Sequence, residues 1–325
     1  MPYMSIQRYF GLGLEATRGT AVAPTVWLPI DNAPTLEPMV SWLKDEGLRG
    51  SPLTQYADVP SYRHDEFSFK GNLFPDSFPV VMAGALGTDV VTGTGAPYTH
   101  TIGLDNQPTS GSQPQSYTGV DTDWIQESGG PAKQFTAGQI DTVSISFSAD
   151  GALTYSSKYL GDAYTQVAAP TSAFSTTLFV PAWSGVVEVN NAQSAVVAEG
   201  SIDIKRSTAP VYTLGTQSPY RLWAGACDVS GKLTFVAEAN STVFTNALTA
   251  NRIPITFTFT EPVSGNTVLF QMSACQLKNP KVTGDKAWEQ ITVDFTAEGN
   301  TTDAVQGGFS NILFQGTNAI STPFG

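Results

Sequence analysis

This 325-residue chain is predicted to be all-β with short helices, and to be written as two tandem β domains, residues 1–165 and 166–325. Three observations predict it. Charged residues make up 14% of the chain, against roughly 25% in an average globular domain, and 30 glycines and 21 prolines punctuate it. The segments between them alternate apolar and small polar residues with period two, the spacing of a strand with one buried face. Residues 143–151 read VSISFSADG, and 148 positions later residues 291–299 read ITVDFTAEG, the same strand phrase closing on an acid-glycine turn. Shorter phrases pair at similar offsets: residues 21–25 (AVAPT) with 167–171 (VAAPT), and 71–73 (GNL) with 231–233 (GKL). Extra loop at 106–116 accounts for the drift in offset. A repeat this long exceeds solenoid units of roughly 20–50 residues and suits domains large enough for their own cores.

In the first half, residues 43–60 read as a polar connection broken by Gly and Pro, and 65–70 alternate like a strand. Asp76 offers an N-cap ahead of a short helix over 79–86 that Gly87 terminates, with Phe78, Met82 and Leu86 on one face. Strands follow at 98–104, 115–121 and 140–148. An Ala/Pro/Thr/Ser-rich stretch, 161–177, separates the halves. The second half repeats the order: strand 201–206, connection 207–221, strand 229–237, a helix near 241–250, then strands 253–260, 267–275 and 289–297. Ile255, Phe257 and Phe259 alternate with Thr256, Thr258 and Thr260, so one face is buried and the other is a threonine ladder.

The residues carry no catalytic constellation. Residues 11–16 (GLGLEA) spell a dinucleotide fingerprint without the βαβ unit it requires, and residues 231–233 have Leu where a phosphate loop needs a hydroxyl. His64 and His100 are the only histidines, and both read as loop or strand-surface residues. Asp121 and Asp123 fail the calcium-loop pattern at later positions and read as a solvated loop. Cys227 and Cys275 read as free, packed thiols, and the six tryptophans as dispersed core or interface anchors. Residues 240–242 and 300–302 match the glycosylation pattern, which acts only on a secreted chain. A net charge of −12 without clustered Lys and Arg argues against a nucleic-acid reader. The start of the sequence lacks a basic, apolar leader and no apolar run reaches membrane length, so folding in a cytoplasm is expected.

Several phrases, in order, resemble the tail tube proteins of long-tailed bacteriophages: Glu15, Arg18, Gly19 and Thr20, then Ala23, Pro24 and Thr25; Gly71, Asn72 and Leu73 leading to Ala85, Leu86 and Gly87; and Tyr98 to Thr101. The second half adds residues 225–234 (GACDVSGKLT), Lys281 to Gly284, and Thr292 to Phe295. The resemblance implies β-sandwich or barrel domains, each with a flanking helix and a long stacking loop. It also implies rings of six such domains stacked into a hollow tube for the genome, and no catalytic residues.

A duplicated chain needs three copies per ring, a trimer with pseudo-sixfold symmetry; hexamers are the alternative. Expected partners are the chain itself, the tape measure, tail terminator and baseplate or tip proteins, and double-stranded DNA passing without sequence preference; no cofactor, metal or membrane is expected. The setting implied is the virion tail, assembled in the host cytoplasm. An acidic or neutral channel wall lets DNA slide, and Asp150, Glu289, Asp294 and Glu298 are the candidate acids facing it. In the family the long loop reaches the next ring, which assigns residues 43–62 and 207–221 to stacking, with Arg49, Tyr56, Tyr212 and Tyr220 as contacts. Two other readings compete: a carbohydrate-binding or adhesin β-sandwich pair, suggested by the tryptophans and threonine faces, and the inner tube of a bacterial contractile injection or secretion system.

Overall fold

The computed structural model describes residues 5–124, 130–194, 196–238, 243–249, 251–284 and 288–325. The glycosylation pattern at 240–242 and part of the helix expected near 241–250 lie outside the described residues. The first half runs β1 (Tyr9–Leu14), β2 (Val26–Leu28), β3 (Thr35–Asp45), β4 (Ala57–Asn72), α1 (Phe78–Leu86), β5 (Gly87–Thr92), β6 (Tyr98–Leu104), β7 (Tyr117–Thr122), β8 (Ala132–Ser148), β9 (Thr154–Gly161) and β10 (Thr165–Val167). The second runs β11 (Val186–Val189), β12 (Ala192–Gln193), β13 (Val197–Lys205), β14 (Ala209–Val211), β15 (Arg221–Trp223), β16 (Asp228–Val236), α2 (Val243–Leu248), β17 (Ile253–Thr260), β18 (Thr267–Thr283), β19 (Gln290–Ala297) and β20 (Leu313–Asn318). The chain is all-β with short helices, as its alternating pattern predicts.

Hydrogen-bonded neighbours follow one order in both halves: β1-β7-β8-β9-β4-β3 and β11-β17-β18-β19-β16-β13. β10 returns onto the start of β8, and β20 onto the start of β18. The first half alone inserts the β5–β6 hairpin. The paired phrases at 71–73 and 231–233 fall on β4 and β16, which hold the same place in this order. The nine-residue phrase does not: residues 143–148 lie between β9 and β13, and 291–297 between β16 and β18. It marks any strand with alternate residues inward, a general signature of sheets with one wet face.

Two junctions fuse the halves. β8 pairs with β13 from Thr142↔Lys205 to Ser148↔Glu199, and β20 lies between β18 and β6. The core is continuous across them. Phe78 of α1 packs against Phe270 and Phe314 of the second half at 6.2 and 5.7 Å between ring centroids, and Phe147 meets Phe257 and Phe259 at 5.3 Å each. Aromatic rings cover cross-strand glycines where a side chain would collide: a Cβ on Gly231 would stand 2.4 Å from the Phe295 ring, and one on Gly200 2.4 Å from Phe147.

Several local expectations are corrected. All nine residues of α1 are buried, not one face, because it sits under β5, β6 and β8. Its N-cap is Ser77, without a side-chain cap bond, instead of Asp76; Gly87 does end it, at φ 108°. The connection expected at 43–60 is shorter, residues 46–56, since β3 and β4 stay paired out to Asp45↔Ala57.

Candidate functional surfaces

Eight strands run edge to edge as β3-β4-β9-β8-β13-β16-β19-β18, counting the second halves of β8 and β18. One face of this sheet holds the core, with Phe67, Tyr155, Val143, Ile202, Val229 and Val293 among its buried side chains. The other face is polar. One row across it reads Lys70, Ser156, Ser144, Asp203, Ser230, Thr296, Gln276, and the next Asn72, Thr154, Ser146, Ser201, Lys232, Asp294, Lys278. Hydroxyls tie neighbours together, as where Ser144 Oγ donates to Asp203 at 2.6 Å. Lys158 meets Glu66 at 2.8 Å and Lys232 meets Asp294 at 3.7 Å.

The four acids expected together do not share one place. Asp294 is mid-face. Asp150, accepting Ser148 Oγ at 2.5 Å, and Glu289 stand at one end of these strands. Glu298 is at the opposite end, 2.6 Å from Arg252 Nε. Among the described residues β3 pairs only with β4, and the second half of β18 only with β19. The eight-stranded sheet therefore ends in two open edges.

Glu298's end also carries both long connections. Beyond Pro38↔Asp65, where β9 ends its pairing with β4, β3 and β4 continue as a two-stranded arm with its tip at residues 46–56. Arg49 pairs with Asp45 there and lies 4.6 Å over the Tyr56 ring. The connection from 206 to 227 instead folds back on the arm: Arg63 N–H donates to Gln217 O at 2.9 Å, Tyr212 stacks on Tyr62 at 4.1 Å, and Tyr212 Oη lies 2.8 Å from His64 Nδ1. Burial pushes the Tyr212 hydroxyl up to about 12 and holds His64 below its ordinary value. Tyr220 is 71% exposed. A groove of about 800 Å³ runs between Tyr62 and Leu214.

Sequence reading missed a third feature. The segment after β20 crosses into the first half and is held by His100 and Asp89, both fully buried at the side chain. His100 Nδ1 lies 2.8 Å from Asp89 Oδ2 and Nε2 lies 2.9 Å from Ile320 O; Phe324 N–H donates to Asp89 at 2.8 Å and Tyr117 Oη–H to Phe324 O at 2.5 Å. A carbonyl only accepts, so Nε2 carries a proton. The Nδ1–Asp89 contact needs another, which makes the pair a proton-sharing ion pair. Burial pulls the His100 pKa down, but the Asp89 hydrogen bond and charge, with the Ile320 carbonyl, leave it above its ordinary value. This corrects the expectation of a loop or strand-surface histidine; the segment that covers it comes from 220 positions away, at Ile320. His64 does lie on a strand surface, that of β4.

Further locks join the halves. Arg206, 2% exposed, donates to Ala85 O at 2.7 Å in the last turn of α1 and to Gly225 O at 3.1 Å. Gln113 exchanges two hydrogen bonds with the Ala224 backbone. Glu15 accepts from Gly19 N, Ser116 Oγ, Thr118 Oγ1 and Ala137 N at 2.6–2.9 Å, so the quoted Glu15-to-Thr20 phrase builds a turn. Asp121 and Asp123, expected in a solvated loop, are buried and paired with Arg8 and Lys133. Both cysteines are free thiols. Among the described residues no cluster of three His, Cys, Asp or Glu could hold a metal, and no helix is long and apolar enough to cross a membrane.

Buried polar groups here serve turns, strand junctions and locks between halves, and one face of the eight-stranded sheet is polar and bounded by open edges. That defines a structural β protein whose edges invite self-association. The model of the phage tail tube protein family matches residues 5–297, and the chain belongs to that family. It is a component of a phage tail that assembles into tubes. No curated protein matches the sequence.

Proposed function

We propose that the chain is a tandem duplication of one tube domain, that three copies close into a ring with pseudo-sixfold symmetry, and that stacked rings form the conduit through which the genome leaves the virion. The two open edges carry this reading. Inside the chain, β8 of the first half already joins β13 of the second. The strands that fill those two slots in the other half, β18 and β3, are the ones left unpaired. A β18 edge on one copy meeting the β3 side of the next repeats the internal junction. That contact is heterologous and closes when the rotation closes. The polar face then lines the channel. The boundary between domains falls in the extended segment after β10, a few residues beyond 165, because a cut at 165 would divide β10.

Arm and loop project from one end of the strands, and the β8–β9 turn, the end of β18 and the start of β19 lie at the other. Head-to-tail stacking sets the arm tip, with Arg49 and Tyr56, and the Tyr220 side of the loop against the next ring. Tape measure, terminator and tip proteins would meet the same two end surfaces at the ends of the tube. Electron microscopy of concentrated protein tests the reading. Threefold rings of the 325-residue chain are expected; six full chains per ring, or a monomer at every concentration, would overturn it.

A further inference from the structure

The polar face of the eight-stranded sheet has an unusual charge balance. Its lysines are Lys70, Lys158, Lys205, Lys232, Lys278 and Lys281, six of the eight whose positions the structure describes. Its acids are Glu37, Glu66, Glu199, Asp203, Asp228 and Asp294. Six charges of each sign cancel, so the chain's net charge of −12 resides entirely elsewhere. A face evolved only to repel a polyanion would not collect the lysines of an acidic protein.

The lysines are set beside compensating groups. Lys158 meets Glu66 at 2.8 Å, and Lys205 is directly opposite Asp228 across the strand pair. Asp294 stands between two lysines, opposite Lys232 on β16 and Lys278 on β18. It lies 3.7 Å from Lys232 Nζ and accepts from Asn279 Nδ2 at 3.2 Å, while Lys278 Nζ donates to Thr296 Oγ1 at 3.2 Å. Three adjacent strands span about 10 Å, so without Asp294 two lysines would face solvent within reach of neighbouring phosphates on a duplex.

We infer that this face is a contact surface for a sliding duplex polyanion, on which Asp294 cancels a lysine pair that would otherwise bind phosphates. Resting on the ring reading, this replaces an acidic, repelling wall with a neutral one whose cations are masked by partners. Cations available at close range let the duplex approach. Acids beside them prevent the counterion release that would hold it.

The test uses the full chain and a fluorescent blunt duplex of about 30 base pairs, read by anisotropy at about 50 and 200 mM salt. Wild type, Asp294→Asn, and Asp294→Asn combined with Lys232→Gln and Lys278→Gln are compared, with thermal melts to show all three folded. The single variant is expected to bind more tightly at low salt. Two freed lysines add about 1.8 to the log–log salt slope, so its gain should shrink roughly tenfold between those salts. The triple variant should return to wild type. A single variant no different from wild type, or a gain that persists in the triple variant, overturns the inference. The measurement is made on unassembled chain and on tubes. Absence of tubes sinks the ring reading without touching the comparison in the free chain, and a gain in free chain that vanishes in tubes shows that the face is not the channel wall.

Discussion

The β3–β4 arm and the loop between β13 and β16 occupy the same slot in the strand order of the two halves and are built in opposite ways. The arm is a paired ribbon from Pro38↔Asp65 to Asp45↔Ala57, with one register shift between Val40 and Trp42, and it exposes Trp42 (55%), Leu43 (59%) and Val59 (55%) along its sides. The loop keeps only the three-residue β14–β15 ribbon, is punctuated by Gly215 and Pro219, and lies back against the arm through Tyr212 and Gln217. One connection reaches and the other braces. A lone two-stranded ribbon is marginal in water, so a reaching arm in one half requires a brace from the other. On the duplication reading, one connection present in two copies diverged in role.

Replacing residues 46–56 by a short turn should have the largest effect and test that division directly: a folded chain with an unchanged melting temperature and no tubes. Shortening residues 207–220 should also yield a folded chain that fails to polymerise, but by unbracing the arm, so amide exchange at residues 57–63 should speed up. Normal tubes from the shortened-loop chain would remove the loop from stacking altogether.

His100→Ala should destabilise the chain by about 3–5 kcal/mol, since it leaves buried Asp89 without its counter-charge, with the Phe324 N–H as its remaining hydrogen-bond partner. The wild-type melt should depend on pH with a fixed sign. A folded-state pKa above the ordinary value near 6.5 means that the stabilisation is complete below about 6.5 and is lost as pH rises through the folded value. His100→Gln should flatten that dependence. If both chains melt alike across pH, the pair is neutral and the clasp holds by packing alone.

Arg206→Ala should cost about 1–3 kcal/mol, because Ala85 O and Gly225 O lose their donor in a buried site. A smaller loss would mean that water takes the guanidinium's place. The smallest effect should come from Tyr212→Phe, about 1 kcal/mol or less: it removes the His64 hydrogen bond but keeps the ring stack on Tyr62. Faster amide exchange confined to the arm would localise the brace to that hydroxyl.

Period-two alternation placed most strands of the eight-stranded sheet, because a strand with one wet face writes its exposure into every second residue. Glycine and proline placed the helix end at Gly87 but not its start. Asp76 has the chemistry of a cap, and Ser77 took the position through the backbone turn instead. Arm, clasp and charge-balanced face were not legible. The arm's tip reads as loop and is one, at residues 46–56, but nothing in its Gly, Ser and Pro content shows that the flanking strands stay paired beyond the sheet. The clasp joins residues more than 200 positions apart, and the face mixes acids and lysines that are scattered in sequence and adjacent only in register.

By itself, then, the sequence determined an all-β chain, the phrases of the tail tube family, and Asp294 as an outward acid on a strand, the first and last of these carried by local alternation. Tertiary structure alone decided that the halves share one core and that β20 lies between β18 and β6. It also decided that Asp294 stands between two lysines and that two sheet edges remain open. Pairing between strands depends on long-range packing and register, which alternation within a strand does not encode.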